Sequence, residues 1–191
     1  MRDRMGRAWR IGIVGSAGVG KTTLALTLAA TLDAPVLHEA MRARLEAGFS
    51  LAGLSRDEHQ SLLLADAADV AGLVEAAAQG CVADRTPLDF LAFWFCNGYG
   101  ADSPRETALF VERAAAALTL FDLILVLPWG VLPLEDDGVR FANPWHQLHA
   151  QMVIEELARR YAPAGRLAFM PADIVEPDER CRWTLRRLGI G

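Results

Sequence analysis

Apolar residues along this chain fall into two alternating patterns. Short unbroken runs read as buried strands: Arg10-Ile11-Gly12-Ile13-Val14, Val36-Leu37-His38, Cys81-Val82-Ala83, Leu123-Ile124-Leu125-Val126-Leu127 and Leu167-Ala168-Phe169-Met170. Between them lie longer stretches with helical spacing. Lys21 to Leu32 places Leu24, Leu28 and Leu32 on one stripe, and Glu39 to Ala47 continues as a shorter helix. Ser55-Arg56-Asp57-Glu58 is a capping box that opens a long helix to about Gln79, ended by Gly80. Pro87 suits the first turn of a helix through Trp94, and Asn97 to Gly100 reads as a loop. Ser103 is placed to cap a helix running to Leu120. A polar loop from Trp129 to Asn143 precedes a helix from Pro144 to Tyr161, and a last helix runs from Glu176 to Leu188. Strands alternating with helices predict an α/β fold: one domain over 1–191, with a parallel sheet between two helical layers. Right-handed crossovers then bring every strand C-terminus to one edge.

The first such edge position carries the most specific chemistry. Gly15-Ser16-Ala17-Gly18-Val19-Gly20-Lys21-Thr22 reads G-x-x-x-x-G-K-T, between a strand and a helix. The glycines let the backbone amides turn inward on an anion, Lys21 reaches the terminal phosphates, and the Thr22 hydroxyl is a hard oxygen ligand for Mg²⁺. Thr23 follows in the first turn of the helix. Asp84 ends the third strand beside this loop and is the candidate second holder of Mg²⁺, or else the cap of the Pro87 helix. Arg85 either neutralises phosphate or pairs with an acid. Glu39 ends the second strand, where it would accept a proton from a substrate hydroxyl, anchor that hydroxyl, or offset a helix dipole. Arg42, three residues on, grips substrate or pairs with Glu39. Phe93 and Tyr99 are candidates for stacking on a flat substrate ring, set against a core-packing role. Arg140, in the polar loop, is the candidate lid arginine over the γ-phosphate, set against a solvated arginine.

Composition narrows the partners. A net charge of −5 disfavours a protein that coats nucleic-acid backbone. Cys81, Cys96 and Cys181 form no metal-binding spacing. His146 and His149 share a helix face without an evident third ligand. No apolar run reaches membrane-spanning length and Met1 to Trp9 contains no apolar signal core, so a cytoplasmic chain is expected. Oligomeric state stays open, with a homodimer as one option.

Taken together, the motifs resemble the P-loop nucleoside-kinase-like group, in particular small AAA-type ATPase domains of the nicotinamide riboside kinase type. The resemblance rests on Gly15 to Thr22, Glu39-Ala40-Met41-Arg42, Asp84-Arg85-Thr86-Pro87-Leu88-Asp89, Leu127-Pro128, Asp137-Gly138-Val139-Arg140 and Met170-Pro171-Ala172-Asp173 followed by Glu179-Arg180. It implies a sheet order of 2-3-1-4-5, a small lid over about 129–144, and Mg²⁺ at Thr22 and Asp84. Pro171 and Ala172 would lie on the adenine side, and Asp89 on the substrate side. There is no N-K-x-D element, so ATP is expected over GTP. The expected activity is an ATP- and Mg²⁺-dependent kinase acting on a hydroxyl of a nucleoside-like or other small metabolite. A nucleotide switch acting on a protein partner is the alternative, and a nucleic-acid-dependent ATPase is disfavoured by charge. His38-Glu39 lacks the proline that deoxynucleoside kinases often place beside this glutamate, which weakens a deoxynucleoside substrate.

Overall fold

The computed structural model describes residues 7–133 and 143–190, the side chains at 42, 46 and 52 excepted. Five parallel strands, β1 (Arg10–Val14), β2 (Val36–Leu37), β3 (Cys81–Asp84), β4 (Leu123–Val126) and β5 (Leu167–Phe169), form one sheet in the order 2-3-1-4-5. Every neighbouring pair is parallel, with Ile11 opposite Val82 on one side and Leu123 on the other. The expected order and direction are both observed.

The helices are α1 (Lys21–Leu32), α2 (Ala40–Glu46), α3 (Arg56–Ala76), α4 (Pro87–Cys96), α5 (Tyr99–Asp102), α6 (Pro104–Leu118), α7 (Pro144–Tyr161) and α8 (Pro177–Arg187). Strand residues alternate between two cores because successive side chains point to opposite faces. Ile11, Ile13, Val82 and Leu125 pack with Leu24 and Leu28 of α1 and Cys181 of α8. Val14, Ala83, Ile124 and Val126 pack with α3, α4, α6 and α7 on the other face. Gly12 permits a close approach there: a Cβ would fall 2.5 Å from Thr86 Cγ2 and 3.0 Å from the Phe121 ring.

Local differences from the sequence reading have local causes. The capping box at Ser55 and Glu58 forms, but α3 ends at Ala76, three residues before Gln79. The chain already turns at Ala77 and Ala78 to reach Gly80, whose φ is +80°. Of the loop expected at 97–100, Asn97 and Gly98 form a turn and Tyr99 already starts α5. Tyr99 is buried there, edge-on to Trp94 at 5.3 Å, with its hydroxyl 2.8 Å from His59 Nδ1. It is a core residue and not a substrate platform. Ser103 precedes α6 but its side chain makes no cap bond, and α6 ends at Leu118. Cys81 is buried and Cys96 half-buried, and burial pushes both thiols up to about 11. No described helix is long and apolar enough to cross a membrane.

Candidate active site

The chemistry-bearing positions gather at the C-terminal edge of the sheet. After β1 the chain turns through Gly15–Gly20 into α1. Gly20 caps α1 with φ +88°, and a Cβ there would lie 3.0 Å from Arg180 Nη1 and from Leu132, so both backbone and space demand glycine. Lys21 is buried and folds back over the loop, its Nζ donating to the carbonyls of Gly15 at 2.9 Å and Ser16 at 2.7 Å. Burial, followed by the nearby Arg85 cation, lowers its pKa to about 8 against the opposing pull of Asp89, Asp84 and Glu39.

Asp84 closes β3 opposite the first turn of α1. Its Oδ2 accepts a 2.5 Å hydrogen bond from Thr22 Oγ1, while Oδ1 is buried without a hydrogen-bond partner. A buried carboxylate oxygen left unpaired next to a threonine hydroxyl suits a hydrated Mg²⁺. The residues therefore fit the expected ion. Asp84 does not cap α4. That role belongs to Thr86 and Asp89, a capping box the sequence reading missed: Leu88 N–H donates to Thr86 Oγ1 at 3.2 Å, and Thr86 N–H to Asp89 Oδ2 at 2.8 Å.

Arg85, the next residue, has φ +112°, a conformation an arginine adopts at a cost of about 1–3 kcal/mol. The strained turn sends its buried guanidinium back under the sheet edge. Nε lies 2.6 Å from Glu39 Oε1, Nη1 lies 3.5 Å from Asp89 Oδ1, and the guanidinium covers the Phe93 ring at 5.0 Å. Burial works to discharge Arg85, but Glu39 and Asp89 outweigh it and raise its pKa. These contacts are close in distance but poorly directed. Arg85 Nε and Nη1 and Asp89 Oδ1 all lack a hydrogen bond of good geometry. Two carboxylates thus face the single guanidinium. Asp89 is fully buried, and desolvation raises its pKa despite Arg85 and Lys21.

One cleft of about 250 Å³ joins these groups, lined by Ala17, Gly18, Gly20, Lys21, Thr22, Thr23 and Leu26 on one side and Glu39, Asp84 and Arg85 on the other. Asp89 and Phe93, expected on the substrate side, lie behind Arg85 and do not line it. Arg42 belongs to α2 but its side chain is outside the description, and Arg140 lies outside the described residues altogether. Pro171 and Ala172 are exposed just past β5, at the same edge.

Three further residues hold the phosphate loop, and the sequence reading assigned none of them. From α7, Gln151 accepts from the Ser16 N–H at 2.9 Å and donates to the Leu127 carbonyl at 2.9 Å, while Gln147 accepts from the Ala17 N–H at 3.0 Å. From α8, Arg180 donates to the Val19 carbonyl at 2.8 Å. The two glutamines occupy positions of the buried stripe Gln147, Ala150, Gln151, Ile154, Leu157. A polar residue on an apolar stripe was the available signal.

Parallel order 2-3-1-4-5, a glycine loop entering α1 and an aspartate at the end of β3 define a P-loop domain of nucleoside-kinase-like fold. The chain belongs to the AAA domain family, whose model matches residues 10–167. Among solved structures it is similar to the NadR protein in complex with NAD and AMP-PNP, with a TM-score of 0.68 and 20% identity over 98% of this chain and 51% of that one. NadR in complex with NR gives a TM-score of 0.65 at 20% identity, covering 97% of this chain and 51% of that one. Deoxyadenosine kinase from M. mycoides, with products dCMP and dCDP, gives 0.64 at 13% identity, covering 94% of this chain and 98% of that one. The chain spans about half the length of NadR. At these identities the likeness is one of fold. No curated protein matches the chain significantly.

Proposed function

We propose that this chain is an ATP- and Mg²⁺-dependent kinase that transfers the γ-phosphoryl group to a hydroxyl of a small, nucleoside-like metabolite. The observation that carries this reading is the Glu39–Arg85 pair, whose carboxylate and guanidinium face the phosphate loop across one cleft. The acceptor hydroxyl would sit beside the Glu39 carboxylate, on the cleft side of its contact with Arg85. Its oxygen attacks the γ-phosphorus in line, Glu39 takes the hydroxyl proton, and the bond to the β-phosphate oxygen breaks to release ADP. Lys21 and the inward amides of Gly18–Thr22 hold the β- and γ-phosphates. Thr22, and Asp84 through water, would hold Mg²⁺, which neutralises charge on those phosphates. Positioning and charge neutralisation supply most of the rate.

The fold neighbours support the acceptor class. NadR has been crystallised with AMP-PNP and with NR, and the M. mycoides enzyme is a deoxyadenosine kinase. A nucleotide switch acting on a protein partner gives Glu39 and Arg85 no task at the phosphate loop, and the kinase reading is preferred for that reason. The test is single-turnover transfer of label from γ-labelled ATP to a panel of nucleosides and other hydroxyl metabolites. Transfer to any acceptor, well above ATP hydrolysis, is the expected result. Hydrolysis alone across the whole panel, raised by a protein partner, would establish the switch.

A further inference from the structure

Glu39 stands at the N-cap of α2, a helix of 7 residues that follows the two-residue strand β2 at the edge of the sheet. A helix this short has little stability of its own and depends on its contacts. None of its described residues is buried: Met41, Arg44 and Leu45 are half-buried, and Ala40 and Ala43 are exposed. Apolar packing therefore does little to fix its direction. Polar contacts stand at both of its ends instead. At the N-cap, Glu39 meets Arg85. In the last turn, Arg44 Nη1 donates to Asp66 Oδ2 at 2.8 Å and lies 2.7 Å from Oδ1.

Asp66 belongs to α3 and is 3% exposed, on the face that carries Leu63, Ala67 and Val74 into the core. An apolar residue would fill that position without the cost of burying a carboxylate. The carboxylate adds a directed hold on a single partner, which apolar contact does not. The same core joins Leu63 and Ala67 of α3 to Leu88 and Leu91 of α4, and Arg85 just precedes α4. Both ends of α2 therefore rest on one packed unit. A single contact at Glu39 would leave the helix free to pivot about it. The second contact fixes the helix direction, and with it the Glu39 carboxylate on the cleft wall.

We infer that Asp66 is a positioning residue for phosphoryl transfer: through Arg44 it holds α2 against α3 and so keeps Glu39 beside the acceptor hydroxyl, a role that rests on the kinase reading above. Asp66 does not line the cleft, so it acts on the acceptor side through Glu39 and leaves nucleotide binding alone.

Asp66→Ala is the decisive variant. Arg44 is 33% exposed and passes into water when its partner is removed, whereas an Arg44 truncation strands a buried carboxylate. Asp66→Asn keeps the shape with a neutral acceptor, and takes its place if thermal melts show the alanine variant unfolded. On the full chain, three quantities are read: single-turnover transfer from γ-labelled ATP to the acceptor panel above, Mg²⁺-ATP affinity, and hydrogen exchange of the α2 amides. Asp66→Ala should slow transfer about tenfold, keep ATP affinity within about twofold, and speed exchange in α2 about tenfold with α3 unchanged. Asp66→Asn should fall between it and wild type. Made on top of Glu39→Gln, Asp66→Ala should cost less than about threefold more, because the carboxylate it positions is already gone. Undiminished transfer, unchanged exchange in α2, an equal loss of ATP affinity, or a full further loss on top of Glu39→Gln would each overturn the inference. A wild-type chain that transfers phosphate to no acceptor would overturn the kinase reading and this role with it. Faster α2 exchange in Asp66→Ala would then show that the Arg44–Asp66 contact holds the helix and that the reading is at fault.

Discussion

Arg85 Nε stands 2.6 Å from Glu39 Oε1, joining the residue after β3 to the N-cap of α2 across the mouth of the phosphate loop. Neither residue reaches the other through local structure. Arg85 does so by leaving β3 with φ +112°, and Glu39 by standing at the N-terminus of α2. Strain at a cleft residue, held by surrounding packing, is the pattern expected of a residue placed for chemistry.

Glu39→Gln keeps the shape of the side chain and removes its charge and basicity. Phosphoryl transfer to an acceptor should fall about 10²–10⁴-fold, with ATP affinity nearly unchanged. Single-turnover transfer and nucleotide binding in the same variant check this. Full transfer activity would remove Glu39 from the reaction.

Lys21 sets the pH dependence of nucleotide binding. Its pKa in the free protein is about 8, and a bound polyphosphate favours the charged amine and raises that value. Binding therefore takes up a proton as the pH passes above about 8. ATP affinity should be flat below pH 7 and should fall above pH 8, by up to about tenfold per pH unit. Titration calorimetry in two buffers of different ionisation enthalpy reads the proton uptake directly. Lys21→Ala should bind ATP weakly and lose this dependence.

Thr22→Val removes the donor of the 2.5 Å hydrogen bond to Asp84, and Asp84→Asn removes the carboxylate charge of the proposed metal site. Each should raise the Mg²⁺ concentration needed for half-maximal turnover, with a smaller effect on metal-free nucleotide binding. Wild-type Mg²⁺ dependence in both variants would place the ion elsewhere.

Gln151→Leu should act on stability. It strips partners from the buried Ser16 N–H and the Leu127 carbonyl, at a cost of about 1–3 kcal/mol for each group left unpaired. A lowered denaturation midpoint with an unchanged m-value is the expected signature. Gln151→Glu would set a buried carboxylate against the Leu127 carbonyl and the Glu155 carboxylate, so its loss should be at least as large.

Much of this protein was legible in its sequence because the informative signals are local. Unbroken apolar runs mark doubly covered strands, and α1, α7 and every strand core stand where hydrophobic period placed them. The G-x-x-x-x-G-K-T spacing marks the phosphate loop because the needed backbone conformation and charge lie within eight consecutive residues. Asp84 follows from its place at a strand end beside that loop. Only the tertiary structure decided which side chains meet across elements. Glu39 pairs with Arg85, Asp89 is spent on capping Thr86, Tyr99 is enclosed by Trp94 and His59, and Gln147, Gln151 and Arg180 hold the phosphate loop from helices more than a hundred residues away in sequence. Such pairings depend on helix rotation and sheet twist summed over the whole fold. Hydrophobic periodicity reports which face of a helix is buried, and says nothing of which polar group on that face meets a backbone amide or carbonyl from another element.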